Sequence, residues 1–293
     1  MNGIRDHVNE DSILHPKFMQ CVTATARLSS RDPNFQNQPR GNTFPIRKVI
    51  TSRFTGGSIV EIDFSQLEFR AAVFLAQDKQ GMKDIEDGVD VHQFTADTIG
   101  VSRQDAKAHT FKPLYGGMSG TEDEKRYYKA FLDKYKDIAK WHEELQSTAI
   151  QYKKIKTPSG REYAFPYAQR MAWGGSSYST QIKNYPVQGF ATADIVPIAC
   201  INVYKLMREH KVKSLMINTV HDSIVVDVHP DEHEQMKRAD TLDPDGSERK
   251  KIIVITTLNF LLNACISPVF LDNFPETLPG HRFLSEIEEK VGR

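Results

Sequence analysis

The chain has 293 residues, of which 39% are hydrophobic and 26% charged, and this is the composition of an ordinary globular protein. It carries 38 basic and 38 acidic residues, and the resulting net charge of zero argues mildly against a strongly basic nucleic-acid binder. No apolar run approaches the roughly 20 residues that span a bilayer, and the N-terminus lacks the apolar core of a signal peptide. We therefore expect a cytoplasmic protein without a membrane partner. Cys21, Cys200 and Cys265 lack metal-ligand spacing and are predicted to be free, buried thiols.

The first half of the chain predicts one strand followed by a long helical region. Residues 15–55 are rich in Arg, Ser, Asn, Gln and Pro and are expected to form an irregular surface segment. Residues 58–63 predict a buried strand, and residues 66–76 a helix with apolar side chains at helical spacing. Residues 90 to about 155 are expected to be mainly helical, with an interruption near Pro113.

The second half alternates short strands with another helix. Two short strands are expected around a turn at residues 157–160, a helix at about 188–209, and a hairpin whose strands flank residues 221–223. Residues 240–246 are expected to form a loop. Strands separated by long helical insertions predict an α+β fold, with a helical subdomain inserted into a sheet domain.

Asp63 ends the first predicted strand, where an aspartate is often only a turn residue or a helix N-cap. Ser65 is the better cap, because Ser65-x-x-Glu68 fits a capping box in which Glu68 reaches back to the Ser65 N–H. That interpretation leaves the Asp63 carboxylate, which two apolar residues flank, in need of another partner.

Asp222 lies between two apolar runs, and an Asp-Ser pair in a hairpin is by itself good turn chemistry. If the strand that ends at Asp63 neighbours this hairpin, the two carboxylates converge and require a cation to offset their repulsion. Mg²⁺ accepts one or two protein carboxylates together with substrate phosphates. Two such ions can activate a 3′-hydroxyl and stabilise a leaving pyrophosphate, so the pair indicates a two-magnesium site.

Arg103, Lys107, Phe111 and Tyr115 follow one another at steps of four and would form a winding stripe on one helix. Two cations followed by aromatic rings suit a nucleotide, since cations bind phosphates and rings stack on a base or sugar. The alternative is a partly exposed amphipathic helix with snorkelling basic side chains. Pro113 is expected to kink this helix, because it cannot donate to the carbonyl of the residue four before it.

These segments together closely resemble family A DNA polymerases, the bacterial polymerase I and phage replicative type, over about residues 25–227. Six segments carry the resemblance in family order: a primer-template segment at 25–37, motif A at 63–70, Asp90-Val-His92, motif B from Arg103 to Gly116, Asn184-x-x-x-Gln188-Gly189, and motif C at His221-Asp222.

The resemblance implies that Asp63 and Asp222 bind two Mg²⁺ ions, assisted by the Phe64 carbonyl, and that Lys107 also acts as an acid toward pyrophosphate. The residues implied in dNTP binding are Gln66, Glu68, His92, Arg103, Lys107, Phe111 and Tyr115. The residues implied in binding primer-template DNA are Arg27, Asn34, Gln36, Asn37, Asn184, Gln188 and His221. Such contacts would be mostly to the backbone and minor groove, as sequence-independent binding requires.

Three further roles follow from the same resemblance. Glu68 matches the steric gate against a ribose 2′-hydroxyl, in place of a capping role, and Tyr115 would pack beside it. Phe111 has no hydroxyl, which implies discrimination against chain-terminating nucleotides. The chain departs from the family pattern at Ser223, where a second acid is usual, and at Lys112-Pro113, where small and apolar residues are usual.

The implied fold is a right-hand polymerase palm with inserted fingers, without a thumb or an exonuclease domain. The expected divisions are palm at 1–80 and 181–235, fingers at 81–180, and a C-terminal extension of uncertain role at 236–293. Its expected setting is a bacterial cytoplasm or that of a phage-infected host.

Two alternatives stay open. One is a non-catalytic or split-subunit fragment that needs a separate thumb or 3′–5′ exonuclease chain, or a processivity factor, and the zero net charge favours it. The other is a single-subunit RNA polymerase, against which Glu68 argues because that enzyme needs room for the 2′-hydroxyl.

Overall fold

The computed structural model describes residues 4–38, 49–172 and 174–233, apart from the side chains of residues 104, 107 and 108. The predictions for residues 236–293 and for the loop at 240–246 therefore lie outside the described residues. The strands are β1 (Lys17–Met19), β2 (Ser29–Arg31), β3 (Ser58–Asp63), β4 (Lys154–Lys156), β5 (Glu162–Ala164), β6 (Leu215–Val220) and β7 (Ser223–Val228). The α-helices are α1 (Leu67–Ala76), α2 (Lys79–Glu86), α3 (Val91–Ile99), α4 (Arg103–Thr110), α5 (Glu122–Lys134), α6 (Lys136–Tyr152), α7 (Ser179–Gln188) and α8 (Val196–Glu209).

Helices and antiparallel strands alternate along the chain, so the predicted α+β class is confirmed. The described residues up to Ser65 and from Thr192 onward form one compact unit, here called the sheet unit. Those from Gln66 to Ala191 form a second, here called the helical unit.

The sheet unit is built on an antiparallel sheet with the strand order β3-β7-β6. The central strand, β7, is nearly all buried: Ile224, Val226 and Val228 fill one of its faces, and Ser223 and Asp227 are buried on the other. In β3 only Ile62 is buried, since this strand is at the edge of the described sheet. The expectation of a buried strand at 58–63 is therefore right in its bounds and wrong in its burial.

The core of the helical unit is aromatic. Phe69 of α1 packs edge-to-face on Phe131 of α5 and on Tyr135, the residue that follows α5. Phe131 and Tyr135 are four residues apart, which places them on the same side of the helix. Edge-to-face pairs of this kind each add about 0.5–1.5 kcal/mol beyond the burial of their area. Tyr127 and Tyr128 extend the cluster and are fully buried.

The helix expected at 188–209 begins earlier, at Ser179, and continues through a π-helical segment, Gly189–Ile195, into α8. Pro186 lies inside α7, where it lacks the N–H that an α-helix needs. The whole stretch, Ser179–Glu209, has 31 residues, and its most apolar window has a mean hydropathy of 1.3. Of that window, 39% is buried. By length and composition alone, the stretch could cross a membrane. Core helices of globular proteins pass the same test, which makes this weak support for a membrane span.

The cysteine prediction is wrong for Cys21, which is exposed because it lies in a surface bend between β1 and β2. Cys200 is half-buried in α8, and burial raises the pKa of its thiol. Both are free thiols.

Candidate active site

Asp63 and Asp222 are brought to the same end of the sheet by the pairing of β3 with β7. The register places Asp63 opposite Ser223, and the Phe64 N–H donates to the Asp222 carbonyl oxygen at 3.0 Å. Asp222 lies in the two-residue turn between β6 and β7, where His221 has a left-handed φ of 55°. The condition on which the convergence was predicted, that the first strand neighbours the hairpin, is therefore met.

A further acid lies beside this end of the sheet. Glu61 is two residues before Asp63 on β3, so both side chains are on one face of the strand, and both are exposed. Ser223 shares that face, because it is opposite Asp63 in the register. Its hydroxyl lies 3.0 Å from Glu61 Oε1 and 3.1 Å from the Val220 carbonyl oxygen, so one proton serves two acceptors.

The donor set at this end of the sheet is oxygen-rich: two carboxylates and the Phe64 carbonyl that follows Asp63. Oxygen ligands of this type suit Mg²⁺, which keeps several waters and takes few protein carboxylates. Within the described residues, no group of three or more His, Cys, Asp or Glu side chains is arranged to hold a metal ion. The site thus fits an ion that two carboxylates and a substrate share, rather than a closed protein cage.

The motif B residues do not share one helix, which corrects the predicted stripe. Helix α4 ends at Thr110, Phe111 is its C-cap, and Tyr115 lies in a separate 3₁₀ turn, Pro113–Tyr115. The cause is Pro113, which has no N–H to donate to the His109 carbonyl. The Lys112 N–H donates to that carbonyl instead, at 3.2 Å, and the chain tightens into a 3₁₀ turn. The backbone of Lys107 lies in α4 as predicted, and its side chain is outside the described part of the chain.

Asp90 connects the start of α3 to the start of α4. Its Oδ1 accepts from the N–H groups of His92 and Gln93 at 2.9 and 3.2 Å as the N-cap of α3. Its Oδ2 accepts from Arg103 Nε at 2.6 Å. Burial alone would raise the pKa of Asp90, but the Arg103 hydrogen bond and charge and the two backbone donors outweigh it and lower that pKa. Arg103 is thus held by a carboxylate through one edge of its guanidinium, which has five N–H donors in all.

His92 is held by the end of α4. Its Nδ1 lies 3.0 Å from Thr110 Oγ1, and its ring meets the Phe111 ring edge-to-face with centroids 5.2 Å apart. The Thr110 hydroxyl also lies 2.9 Å from Thr95 Oγ1, and Tyr127 donates its hydroxyl to the Thr110 carbonyl at 3.0 Å. This buried network fixes two of the predicted nucleotide-binding side chains relative to each other.

Glu68 and Tyr115 are direct neighbours, as predicted: the Tyr115 hydroxyl donates a hydrogen bond to Glu68 Oε2. The capping box is absent from the start of α1, because the N-cap is Gln66 in a left-handed conformation without a side-chain cap. Glu68 is therefore the second residue of α1 and not the third, and the capping geometry is not available to it. Gln66 itself accepts the Arg70 N–H through its backbone carbonyl at 3.0 Å.

The sheet unit brings three of the predicted DNA-binding residues to one small cleft. Arg27, Gln36 and His221 line a cavity of about 10 Å³, the space of roughly one water molecule. Arg27 Nε donates to Thr192 Oγ1 at 2.8 Å. The side-chain oxygen of the buried Gln36 accepts the Ser30 N–H at 3.0 Å.

Asn34 and Asn37 lie on the exposed turn that leads from this cleft. Asn34 Oδ1 accepts the N–H groups of Gln36 and Asn37 at 3.0 and 3.1 Å, which is an Asx turn. Asn34 therefore shapes the turn through its own side chain. In the helical unit, Asn184 and Gln188 lie one turn apart on α7 and are half-buried.

Sequence reasoning missed the residues that support these side chains. Thr95, Thr110 and Tyr127 are buried and carry the contacts around His92, but threonines and a tyrosine in a helical pattern give no distinctive signal. Lys183 is another: a Cβ at Gly116, where φ is +73°, would collide with it, and burial lowers the pKa of its amine. The glycine of motif B thus serves both a left-handed turn and the close approach of a lysine.

Residues 1–242 match the family described as DNA polymerase family A. The chain is 30% identical over 262 residues to DNA polymerase I of Lactococcus lactis, an alignment that covers 81% of this chain and 29% of that protein. It is 29% identical over 258 residues to the DNA polymerase of Bacillus phage SP01, covering 77% of this chain and 28% of the relative.

Among solved structures, the POL domain of Pol1 from M. smegmatis, in complex with DNA primer-template and dNTP, is similar with a TM-score of 0.69 and 25% identity. That similarity covers 80% of this chain and 45% of the solved one. The chain spans about 29% of the length of the curated bacterial relative described above. Because the family match extends over most of its residues, the chain belongs to DNA polymerase family A.

Proposed function

We propose that this chain carries out template-directed DNA synthesis, transferring a nucleotide from a dNTP to the 3′-hydroxyl of a primer. One observation carries the proposal: β3 and β7 pair in a register that brings Asp63 and Asp222 to one end of the sheet, in a chain of family A. The polymerase-type relatives and the solved complex with primer-template and dNTP support the same reaction.

Asp63 and Asp222 would hold two Mg²⁺ ions, together with the Phe64 carbonyl. Two such ions supply activation of the primer hydroxyl and stabilisation of the leaving pyrophosphate. The protein's own contribution is to keep the two carboxylates at adjacent strand ends, where the Phe64 N–H bond to the Asp222 carbonyl fixes the spacing of the backbones. The two-residue turn of His221 and Asp222 places Asp222 directly before β7.

The triphosphate would be bound by His92, Arg103 and Lys107, with Lys107 as an acid toward the leaving pyrophosphate. The two cations of α4 and an imidazole N–H of His92 on α3 are hydrogen-bond donors of the kind that phosphate oxygens require. Asp90 supports this role for Arg103 because it restrains the guanidinium at 2.6 Å and leaves further donors for phosphate. Phe111, packed on His92, would meet the base or sugar and discriminate against chain-terminating nucleotides.

Selection of deoxyribose would rest on Glu68, whose carboxylate the Tyr115 hydroxyl restrains. Gln66, at the left-handed residue before α1, would contact the same nucleotide. A carboxylate held at a fixed place excludes a 2′-hydroxyl by occupying the space that the hydroxyl would need, and the Tyr115 hydroxyl already donates to one of its oxygens. This is the feature that favours DNA synthesis over the RNA polymerase alternative.

Primer-template DNA would be bound by residues of both units. Those proposed are Arg27, Asn34, Gln36, Asn37, Asn184, Gln188 and His221. Three of them, Arg27, Gln36 and His221, lie close together in the sheet unit, and this proximity supports the proposal. In family terms, the palm would comprise residues 1–80 and 181–235, the fingers 81–180, with a C-terminal extension at 236–293.

A second candidate function is that of a subunit that binds nucleic acid or a partner and polymerises only with a separate thumb, exonuclease or processivity chain. The net charge of zero favours it, because a phosphate polymer is usually gripped by excess positive charge. Primer extension with the chain alone, and then with added candidate partners, separates the two functions.

Primer extension by purified Asp63→Ala and Asp222→Ala variants tests the proposal. Each should lose Mg²⁺-dependent dNTP incorporation by about a hundred- to a thousandfold, since removing one group of a preorganised charge-stabilising site costs that much. Glu209→Ala, an exposed acid at the end of α8, is the matched control and should incorporate dNTPs like the parent chain. Circular dichroism should be unchanged in all three. Retained incorporation by either aspartate variant would contradict the assignment of Asp63 and Asp222 as Mg²⁺ ligands.

A further inference from the structure

Glu61 is an acid that the proposed reaction does not yet use. It shares the exposed face of β3 with Asp63, two residues away, and is diagonal to Ser223 across the β3–β7 pair. Diagonal neighbours in an antiparallel pair lie within about 7–8 Å, so acids at positions 61 and 223 would act on the same end of the sheet.

Ser223 restrains Glu61. Its hydroxyl is 3.0 Å from Glu61 Oε1, and the serine itself is buried, with only 2% of its surface exposed. An exposed glutamate otherwise samples many rotamers. A hydrogen bond from a fixed, buried hydroxyl favours the rotamers that keep this carboxylate over the face of Asp63.

We propose that Glu61 supplies the auxiliary negative charge of the magnesium site that Ser223, an acid in the family pattern, does not supply. This inference rests on the proposed function. Glu61 is a positioning residue and not a direct ligand: among the described residues, it forms no three-acid cluster of metal-binding arrangement with its neighbours. It acts on the ion through its charge and through metal-bound water, as outer carboxylates do in other metal sites.

The expected size of the effect follows from Coulomb's law. A carboxylate about 6 Å from a divalent ion in a water-like dielectric changes the ion's affinity by about tenfold. Because Glu61 is exposed and screened by salt, we expect a loss of about three- to tenfold when its charge is removed.

Mn²⁺ binding to the full chain, measured by the electron paramagnetic resonance signal of free Mn²⁺, tests this without relying on catalysis. Glu61→Gln should weaken Mn²⁺ binding about three- to tenfold and raise the Mg²⁺ concentration that half-saturates primer extension to the same extent. Ser223→Ala keeps the acid but removes its hydrogen bond and should cause a smaller loss in the same direction. Glu209→Gln is the matched control and should bind Mn²⁺ like the parent.

The outcomes separate this inference from the function on which it rests. Loss of Mn²⁺ binding in Asp63→Ala with unchanged binding in Glu61→Gln would overturn the role of Glu61 alone. No saturable Mn²⁺ binding by the parent chain would overturn the metal site and Glu61 with it. A weakened Glu61→Gln whose thermal melting midpoint also falls would assign Glu61 to the fold, and an unchanged midpoint supports its role at the ion.

Discussion

Glu68 illustrates how one residue's role depends on where a helix begins. A start at Ser65 would have made it a capping residue, but α1 begins at Leu67 after a left-handed Gln66. Its carboxylate instead accepts the Tyr115 hydroxyl from the 3₁₀ turn that follows α4. This contact with Tyr115, and not a capping contact, supports the sugar-selecting role proposed for Glu68.

Substituting Glu68 should change sugar selection. Glu68→Ala removes the obstacle and should raise the ratio of ribonucleotide to deoxyribonucleotide incorporation by at least about tenfold, the range that one group in a substrate pocket contributes. Tyr115→Phe keeps the ring but removes the hydroxyl that restrains Glu68, and should raise the ratio less. Single-turnover incorporation with matched rNTP and dNTP gives the ratio. If Glu68→Ala leaves it unchanged, Glu68 is no gate.

At the scale of single residues, the sequence predicts site residues that can be recognised from their immediate neighbours in the chain. Asp63 and Asp222 stand out because Asp63 ends an apolar run and Asp222 lies between two others, and the pairing of β3 with β7 brings these positions to one end of the sheet. Glu61 is not predictable in this way, because its relation to Ser223 depends on the cross-strand register. Thr110, whose hydroxyl and carbonyl organise the surroundings of His92, has the same limitation.

Among the elements, α2 and α6 begin at one shared carboxylate. Asp78 Oδ1 accepts the Gly81 N–H at 2.7 Å as the N-cap of α2. Its Oδ2 accepts the N–H groups of Asp137 and Ile138 at 2.9 and 3.1 Å, at the start of α6. Because the Asp78 side chain is buried, water could not replace it as the acceptor for these three N–H groups.

Asp78→Ala should therefore destabilise the helical unit more than an ordinary cap substitution does. Loss of a single N-cap costs about 0.5–2 kcal/mol, typically about 1, so the loss of two caps together costs about 1–4 kcal/mol, typically about 2. Ser102→Ala, which removes the exposed one-helix cap of α4, is the control and should cost about 1 kcal/mol. Urea unfolding followed by tryptophan fluorescence measures both, since Trp141 lies in α6. Equal losses would contradict the shared cap.

The sequence predicts the bounds of strands well where apolar runs and turn residues mark them. It predicts the ends of helices poorly where a proline is present. β3, β6 and β7 follow from apolar runs and the turn at 221–222, and their predicted bounds match to within a residue. Pro113 does more than kink: it ends α4, so the four-step stripe is not one helix. Pro186 does the opposite: it lies inside α7, three residues before the π-helical segment, and does not end the helix.

At the scale of the whole molecule, this DNA polymerase family chain carries no net charge. Of the residues proposed to contact the duplex, Arg27 is the permanent cation, and most of the others are neutral amides. Asn34 and Gln36 also use their amide groups within the protein, where they shape the segment beside β6. The duplex would thus be positioned by few charges and many neutral contacts.

Primer-template affinity should consequently depend only weakly on salt. Each phosphate that a cation neutralises contributes about −0.9 to the slope of log K against log salt, so a chain that uses one or two cations should give a slope of about −1 to −2. Fluorescence anisotropy with a labelled primer-template between about 50 and 200 mM salt measures it. Arg27→Gln should reduce the slope by about 1, whereas Arg208→Gln, an exposed cation at the end of α8, should leave it unchanged. A parent slope of about −6 or steeper, typical of proteins with many phosphate contacts, would show that cations outside the proposed set grip the DNA.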